Sequence, residues 1–238
     1  MAVDEALLNR ATVGSEMVMR WYRWQEPTLS LGYFQDDPQL PEDCMNLPQV
    51  RRLTGGGALV HDRELTYSLI LPPGQTLIKK PTDLYQLVHA SFVHVLSASG
   101  FPITSRGQTT HLPEEEFLCF LRADENDLVF NSQKVLGSAQ RRRRGALLQH
   151  GALLLHRSAH APELPGLCDL FPGCQLPDIA REVTRNLSQR LGVCWCASEL
   201  SDDENRQAQE LVLQKYQSTS WQRPARSLQH PPSASGAS

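Results

Sequence analysis

Residues 51–68 read Arg51-Arg52-Leu53-Thr54-Gly55-Gly56-Gly57-Ala58-Leu59-Val60-His61-Asp62-Arg63-Glu64-Leu65-Thr66-Tyr67-Ser68. A short β-prone run, 50–53, ends in three successive glycines. Two further β-prone runs, 58–61 and 65–71, follow before Pro72-Pro73-Gly74 closes the second. Successive glycines permit positive φ and let a ligand approach the backbone closely, and the two arginines ahead of them suit a carboxylate or a phosphate. The run has neither the GK[ST] ending of a Walker A loop nor the GxGxxG spacing of a dinucleotide fingerprint. It predicts a glycine corner between strands, which either contacts a ligand or is a hairpin corner with a solvated arginine pair.

Working outward, the clearest helix is 82–99. There Leu84, Leu87, Val88, Phe92, Val95 and Leu96 recur at three- and four-residue intervals until Gly100. His89 and His94 lie five apart within it, a spacing that does not align them as ligands on one face. An amphipathic helix is predicted over 2–19, loosened near Gly14, then a strand over 19–24 and a proline-broken loop over 35–49. Downstream, 117–121, 127–130 and 134–139 read as short strands and 146–155 as a longer one, interrupted by Gln149, His150 and Gly151. A loop over 158–175, helices over 177–191 and 204–216, and a strand at Val193-Cys194-Trp195-Cys196 complete the pattern. Strand and helix signals interleave with no strong linker, which predicts one α/β domain over 1–221 and a disordered tail over 222–238.

Composition narrows the function classes. With 238 residues, 40% hydrophobic and 21% charged, the chain is of ordinary globular make-up. Its net charge of −3 gives no general drive toward nucleic acid or anionic membrane. No apolar run approaches a membrane span, and acidic Asp4 and Glu5 stand where a signal peptide is basic, so a cytoplasmic protein is expected. The 6 cysteines are not needed to staple a chain of this size, and their spacings do not fit a zinc knuckle, so no metal site is expected.

Three more segments hold chemistry-bearing residues. In Gln133-Lys134-Val135-Leu136-Gly137-Ser138-Ala139-Gln140 a lysine stands in a β-prone run, where it either is solvated or stabilises negative charge beside a carbonyl or phosphate. Arg141–Arg144 make a local basic run, which reads first as a solvated loop and otherwise as a contact for an acidic partner or phosphopantetheine more than for RNA, for which aromatic interleaving is missing. Gln149-His150-Gly151 places polar groups inside an apolar strand, which is costly unless they find partners. Cys119, in Phe117-Leu118-Cys119-Phe120, reads on its own as a small core residue.

Taken together, 51–68, the Lys134-to-Arg141 run and Leu148-Gln149-His150-Gly151 resemble the lipoate–protein ligase and octanoyltransferase superfamily. So do the opening Ala2–Leu8 segment and Trp24-to-Gln35, and Tyr216 and Trp221 fit its closing segment. The resemblance implies the biotin/lipoate protein ligase catalytic fold: an α/β (α+β) single domain with a central mixed β-sheet, a smaller second sheet and surrounding helices. His61-Asp62-Arg63-Glu64-Leu65-Thr66-Tyr67-Ser68 is similar to the cysteine-dependent octanoyltransferases and amidotransferases of the LipM and LipL branches, whose nucleophile precedes the lysine motif in a Cys-Phe pair. On that resemblance Cys119 and Lys134 are catalytic. Arg52, Gly55, Gly56, Gly57, His61, Gly137, Ser138, Ala139, Gln149, His150 and Gly151 bind substrate. The implied reaction moves an octanoyl or lipoyl group from acyl carrier protein, or from a lipoyl carrier protein, to a lysine of a lipoyl domain or the glycine cleavage H protein, through a Cys119 thioester.

No cofactor is required in that reading; ATP and magnesium enter only in the alternative, an ATP-dependent lipoate ligase. A third reading is a non-catalytic lipoyl-domain or acyl-carrier binder. Two departures separate the chain from the pattern: the family's strand ahead of the opening helix has no counterpart, and Gly57 stands where the cysteine-dependent enzymes often carry Arg. An acidic acyl carrier protein is expected to dock on Arg141–Arg144.

Overall fold

The computed structural model describes residues 1–35, 40–76, 78–108 and 116–222. Along the chain come α1 (Ala2–Ala11), β1 (Val18–Tyr22), β2 (Thr28–Leu31), β3 (Gln49–Arg51), β4 (Leu59–His61), β5 (Glu64–Leu71) and α2 (Pro81–Ala98). Then follow β6 (Thr104–Ser105), β7 (Leu128–Phe130), β8 (Gln133–Arg143), β9 (Ala146–Leu154), α3 (Leu167–Leu170), α4 (Ile179–Leu191), α5 (Asp202–Leu211) and α6 (Thr219–Gln222). Six strands form one sheet in the order β1-β5-β9-β8-β7-β6, and three form a smaller one in the order β3-β2-β4. The pairs of the larger sheet are antiparallel, and the mixed pairing lies in the smaller one, where β2 runs parallel to β3 and antiparallel to β4.

The larger sheet is covered on both faces, so its central strands are buried along most of their length, polar positions included; β5 is buried at seven of its eight positions. On one face α2 and α4 lay down Leu84, Val88, Phe92, Val183 and Leu187 against Leu69, Leu136 and Leu153. Each such side chain, removed from water, stabilises the fold by about 1.5–3 kcal/mol. On the other face α1 packs Leu7 and Leu8 against Ile70 and Leu148, and the small sheet packs Leu29, Leu31 and Val60 against Ala152 and Leu154. The helix of 82–99 is set by Pro81 in its first turn and by the Asp83 carboxylate, which accepts the Lys79 and Lys80 N–H groups at 2.8 Å.

Several elements differ from the sequence expectation. The opening helix stops at Ala11 instead of running to 19, because Val18–Tyr22 is taken up as the edge partner of β5, from Val18 opposite Ile70 to Tyr22 opposite Thr66. Residues 117–121 are not a strand: only Leu118 bridges, in parallel, to Ala58. Residues 193–196 form no strand either, since no neighbour pairs with them. The helix expected over 204–216 is α5 followed by a wider π turn, Val212–Tyr216. The expected tail lies outside the described residues apart from Gln222. Among the described residues no helix is long and apolar enough to cross a membrane.

Candidate active site

The glycine corner brings the 51–62 segment against the 117–124 segment and the start of β8, and a cavity of about 360 Å³ opens between them. Its wall contains Arg52, Gly55, Gly56, Gly57, His61, Cys119, Lys134, Gly137, Ser138, Ala139, His150 and Gly151. The structure therefore brings together every site residue expected from the sequence except Gln149, which is fully buried behind the wall.

Cys119 is held there by backbone. Ala58 N–H donates to Phe117 O at 2.9 Å and Cys119 N–H to Ala58 O at 2.6 Å, while Leu118 and Phe120 bury their side chains on either side of it. This leaves the half-buried thiol at the cavity. In this chain Gly57 lies tight against the segment: a Cβ at that position would stand 2.9 Å from Phe117 O, 3.0 Å from Cys119 N and 2.8 Å from Arg122 Nε. Lys134, only 6% exposed, is the second residue of β8 and turns its ammonium to three groups. Nζ donates to Asp127 Oδ1 at 2.8 Å and to Cys119 O at 3.1 Å, and lies 3.9 Å from Cys119 Sγ. An ammonium has three N–H donors, so the last is free to face the sulfur.

Asp127 is a site residue that sequence reasoning missed. Burial pushes its carboxyl up, and Lys134 opposes that; the Asp124 N–H adds a hydrogen bond at 2.8 Å. Its signal in the sequence is faint, one acid among several in the turn before β7. His89 belongs to no group of three or more His, Cys, Asp or Glu placed to hold a metal ion among the described residues. Yet it is buried behind Ser138, with Nε2 2.7 Å from the Ser138 hydroxyl.

The remaining expected residues serve the wall in different ways. Arg52 spends its guanidinium on the corner itself, donating to Gly55 O at 2.9 Å, Gly57 O at 2.6 Å and Ser30 O at 3.1 Å. It fixes the turn. His61 stacks on Trp24 with ring centroids 4.0 Å apart, and its nitrogens meet Glu64 Oε1 at 2.6 Å and Ser30 Oγ at 2.9 Å. Burial pulls His61 down and Glu64 opposes it; burial raises Glu64, but His61 and the Asp62 N–H hold it below its ordinary value. His150 meets Thr54 Oγ1 at 2.7 Å and lies 3.7 Å from Asp4, and burial likewise lowers it. Asp4, buried on α1, stays ionised far below the ordinary carboxylate range: burial would raise it, but His150, the chain's amino group and Arg20 outweigh that. Gly151 admits the Tyr67 ring, since a Cβ there would stand 2.6 Å from Tyr67 Cε1 and nearer still to Ser138 Oγ.

The arginine run is not one free patch. β8 continues through Arg143, so its side chains alternate. Arg143 bonds Glu5 at 3.0 Å and also Asn9, both on α1, and Arg141 lies over the Tyr33 ring at 5.1 Å. Arg142 and Arg144 are exposed.

Comparison with known proteins agrees with this geometry. The lipoyl protein ligase A/B catalytic domain family matches residues 1–161. The chain is 31% identical over 246 residues to octanoyltransferase LipM of Clostridioides difficile, covering 91% of this chain and 90% of that one. It is 30% identical to LipM of Brevibacillus brevis, covering 93% and 92%. The fold is similar to that of Ta0514, a putative lipoate protein ligase from T. acidophilum (TM-score 0.75, 23% identity, 93% and 92% covered). It is equally similar to a lipoate-protein ligase A bound with ATP (TM-score 0.75, 23% identity, 93% and 92% covered).

Proposed function

We propose, for a chain that belongs to the lipoyl protein ligase A/B catalytic domain family, that it is an acyltransferase working through a Cys119 thioester. The observation that carries this is the Lys134 ammonium 3.9 Å from Cys119 Sγ at the wall of a cavity built by the glycine corner. A cation so placed stabilises a thiolate and, later, the oxyanion at an attacked carbonyl. In the first step the thiolate attacks the carbonyl of an octanoyl thioester; the new C–S bond forms, the old one breaks, and the donor sulfur leaves as a thiolate. In the second the neutral amine of an acceptor lysine attacks, the C–N bond forms, the C–S bond breaks with its electron pair on Cys119 sulfur, and one amine proton passes to that sulfur. The donor is octanoyl acyl carrier protein, or a lipoylated carrier, and the acceptor is a lipoyl domain or H protein. His61 and His150, tied to Glu64 and Thr54, orient the wall.

Incubation with octanoyl acyl carrier protein should add one octanoyl group to the enzyme, seen by intact mass and removed by hydroxylamine. Cys119→Ala should abolish it, and an adduct that persists on that variant overturns the proposal.

The second reading, an ATP-dependent lipoate ligase, is favoured by Gly57 and by the likeness in fold to the ATP-bound ligase. Arg122 and Asp124, both at the cavity wall, are the residues to meet phosphate and magnesium in that case. It predicts acyl-AMP formation from free acid with ATP and magnesium, and no thioester.

A further inference from the structure

Four residues directly opposite one another make a row across the larger sheet. Gly137 on β8 pairs with Ala152 on β9, Ala152 with Thr66 on β5, and Thr66 with Tyr22 on β1. All three pairings are antiparallel, and directly opposed residues send their side chains to one face. That face is turned to the smaller sheet: Ala152 packs in one cluster with Leu29 and Val60, and Thr66 Oγ1 accepts the Trp24 indole N–H at 3.3 Å. All four residues belong to the wall of the active-site cavity, to which β4 adds Leu59 and His61.

The row has a reacting end and a closed end. A Cβ on Gly137 would stand 2.6 Å from Lys134 Cε and 3.0 Å from its Nζ, so the row begins against the ammonium that lies 3.9 Å from Cys119 Sγ. Face-packed sheets stand about 10 Å apart, a gap that large side chains fill. Gly137 and Ala152 leave it open, Thr66 narrows it, and Tyr22 brings an aromatic ring. β1 is the edge strand of the sheet, and Tyr22 is its one residue in the cavity wall. The Tyr22 hydroxyl donates to Asp4 Oδ2 at 3.2 Å, and the Arg20 guanidinium lies 4.6 Å from the ring centre, which fixes the ring at that end.

Strand spacing sets the length available. From β8 to β1 there are three steps of about 4.8 Å, roughly 14 Å in all. A terminal methyl and the ring each take about 2 Å of that, half a carbon–carbon contact. The remaining ~10 Å holds about seven or eight C–C bonds of an extended chain, which advances roughly 1.3 Å per bond.

We propose that the acyl chain runs along this row from a carbonyl carbon beside Lys134, and that the Tyr22 ring is the stop that limits it to about eight or nine carbons. The place of the carbonyl rests on the thioacyl-transferase reading. Tyr22 meets the end of the chain and none of the reacting atoms, so its effect is on which donor is used.

Thioacylation of Cys119 is followed by intact mass with butanoyl-, octanoyl- and dodecanoyl-pantetheine, and kcat/KM is compared as ratios between donors. In the wild type the dodecanoyl-to-octanoyl ratio should be about a hundredth or less. Tyr22→Ala opens the end of the slot and should raise that ratio about a hundredfold, at roughly fourfold for each methylene newly buried. Tyr22→Phe keeps the ring and loses the bond to Asp4, and should keep the wild-type ratio; a merely structural role for Tyr22 would move both variants alike. Should Tyr22→Ala fail to fold, Ala152→Val tests the row in the opposite sense. It fills the slot one strand from Gly137, and the butanoyl-to-octanoyl ratio should rise about tenfold. A wild type that uses dodecanoyl as well as octanoyl, an unchanged ratio in Tyr22→Ala or in Ala152→Val, or a Tyr22→Phe that matches Tyr22→Ala overturns the proposal. If the wild type forms no Cys119 adduct with any donor, the transferase reading falls by itself. The stop is then read from calorimetric affinities for octanoic and dodecanoic acids, with the same variants and the same expected ratios.

Discussion

Replacing Gly57 with Ala should detach Cys119 from its place while leaving the rest of the fold standing. The added Cβ would meet two backbone atoms, Phe117 O at 2.9 Å and Cys119 N at 3.0 Å, besides Arg122 Nε at 2.8 Å. Arg122 is a flexible side chain and can move; the two backbone atoms cannot yield without shifting the segment. That segment is joined to the glycine corner by the two hydrogen bonds through Ala58, each worth about 0.5–1.5 kcal/mol net. Overpacking of this kind costs about 1–3 kcal/mol, which suffices to break both bonds or bend them severely. A displacement of about 1 Å at a reacting group costs on the order of a hundredfold in rate. Gly57→Ala should therefore thioacylate about a hundredfold more slowly, with a melting temperature lowered by less than about 12 °C. Arg122→Ala in the same chain should restore little, because it removes only the movable contact. Stopped-flow thioacylation and thermal unfolding measure both quantities. Near-normal thioacylation in Gly57→Ala would mean that the glycine corner does not position Cys119.

Asp127→Asn strands a buried ammonium and should cost about 3 kcal/mol of unfolding free energy in urea, whereas Asp127→Leu with Lys134→Met should cost less than the sum of the two single changes; simple additivity refutes the buried pair. The folded-state value of His89 lies below its unfolded one, so its contribution to stability is full above about pH 6.5 and is lost as pH falls toward 4. Between pH 7 and pH 5 that amounts to about 2 kcal/mol, and His89→Gln should lose that part of the slope in paired urea titrations; an unchanged slope refutes the assignment. In the arginine run, Arg143→Gln should lower the melting temperature by about 2–4 °C through its bonds to Glu5 and Asn9, while Arg142→Gln with Arg144→Gln should leave it within about 2 °C and weaken only the salt-dependent encounter with an acidic donor protein. Equal thermal effects would refute the alternation.

The parts of the site that were legible share one property: they are local. The glycine corner, Lys134-to-Ala139 and the Gln149-His150-Gly151 interruption each announce themselves within a few residues, and β8 and β9 then place the last two opposite each other, Ser138 against Gly151 and Ala139 against His150. Cys119 differs: its own surroundings favour an inert core residue, and only the resemblance points to it. The buried acids were not legible at all. Asp4 and Glu5 look like the polar face of an opening helix, yet they are 1% and 3% exposed. Their partners are Arg20, Ser68 and His150 for Asp4, and Arg143, Lys215 and Tyr216 for Glu5, up to 211 residues away. A composition window weighs a carboxylate by its own hydration and cannot see a distant cation that compensates its burial. The arginine run misled for the converse reason. Four charges in a row suggest a solvated loop, but the strand continues because β9 offers Ala146–Leu148 as partners, and alternation then sends Arg141 and Arg143 to one side and Arg142 to the other. His89 shows where a usable signal remained. Paired with His94 it makes a ligand set at the wrong spacing; taken alone, it lies next to Val88 on the buried stripe of α2, four residues after Tyr85 and three before Phe92. A lone histidine on such a stripe must find a partner for each nitrogen, and asking which groups those are leads to Asn126 and Ser138, the turn that holds Asp127 and the strand that holds Lys134.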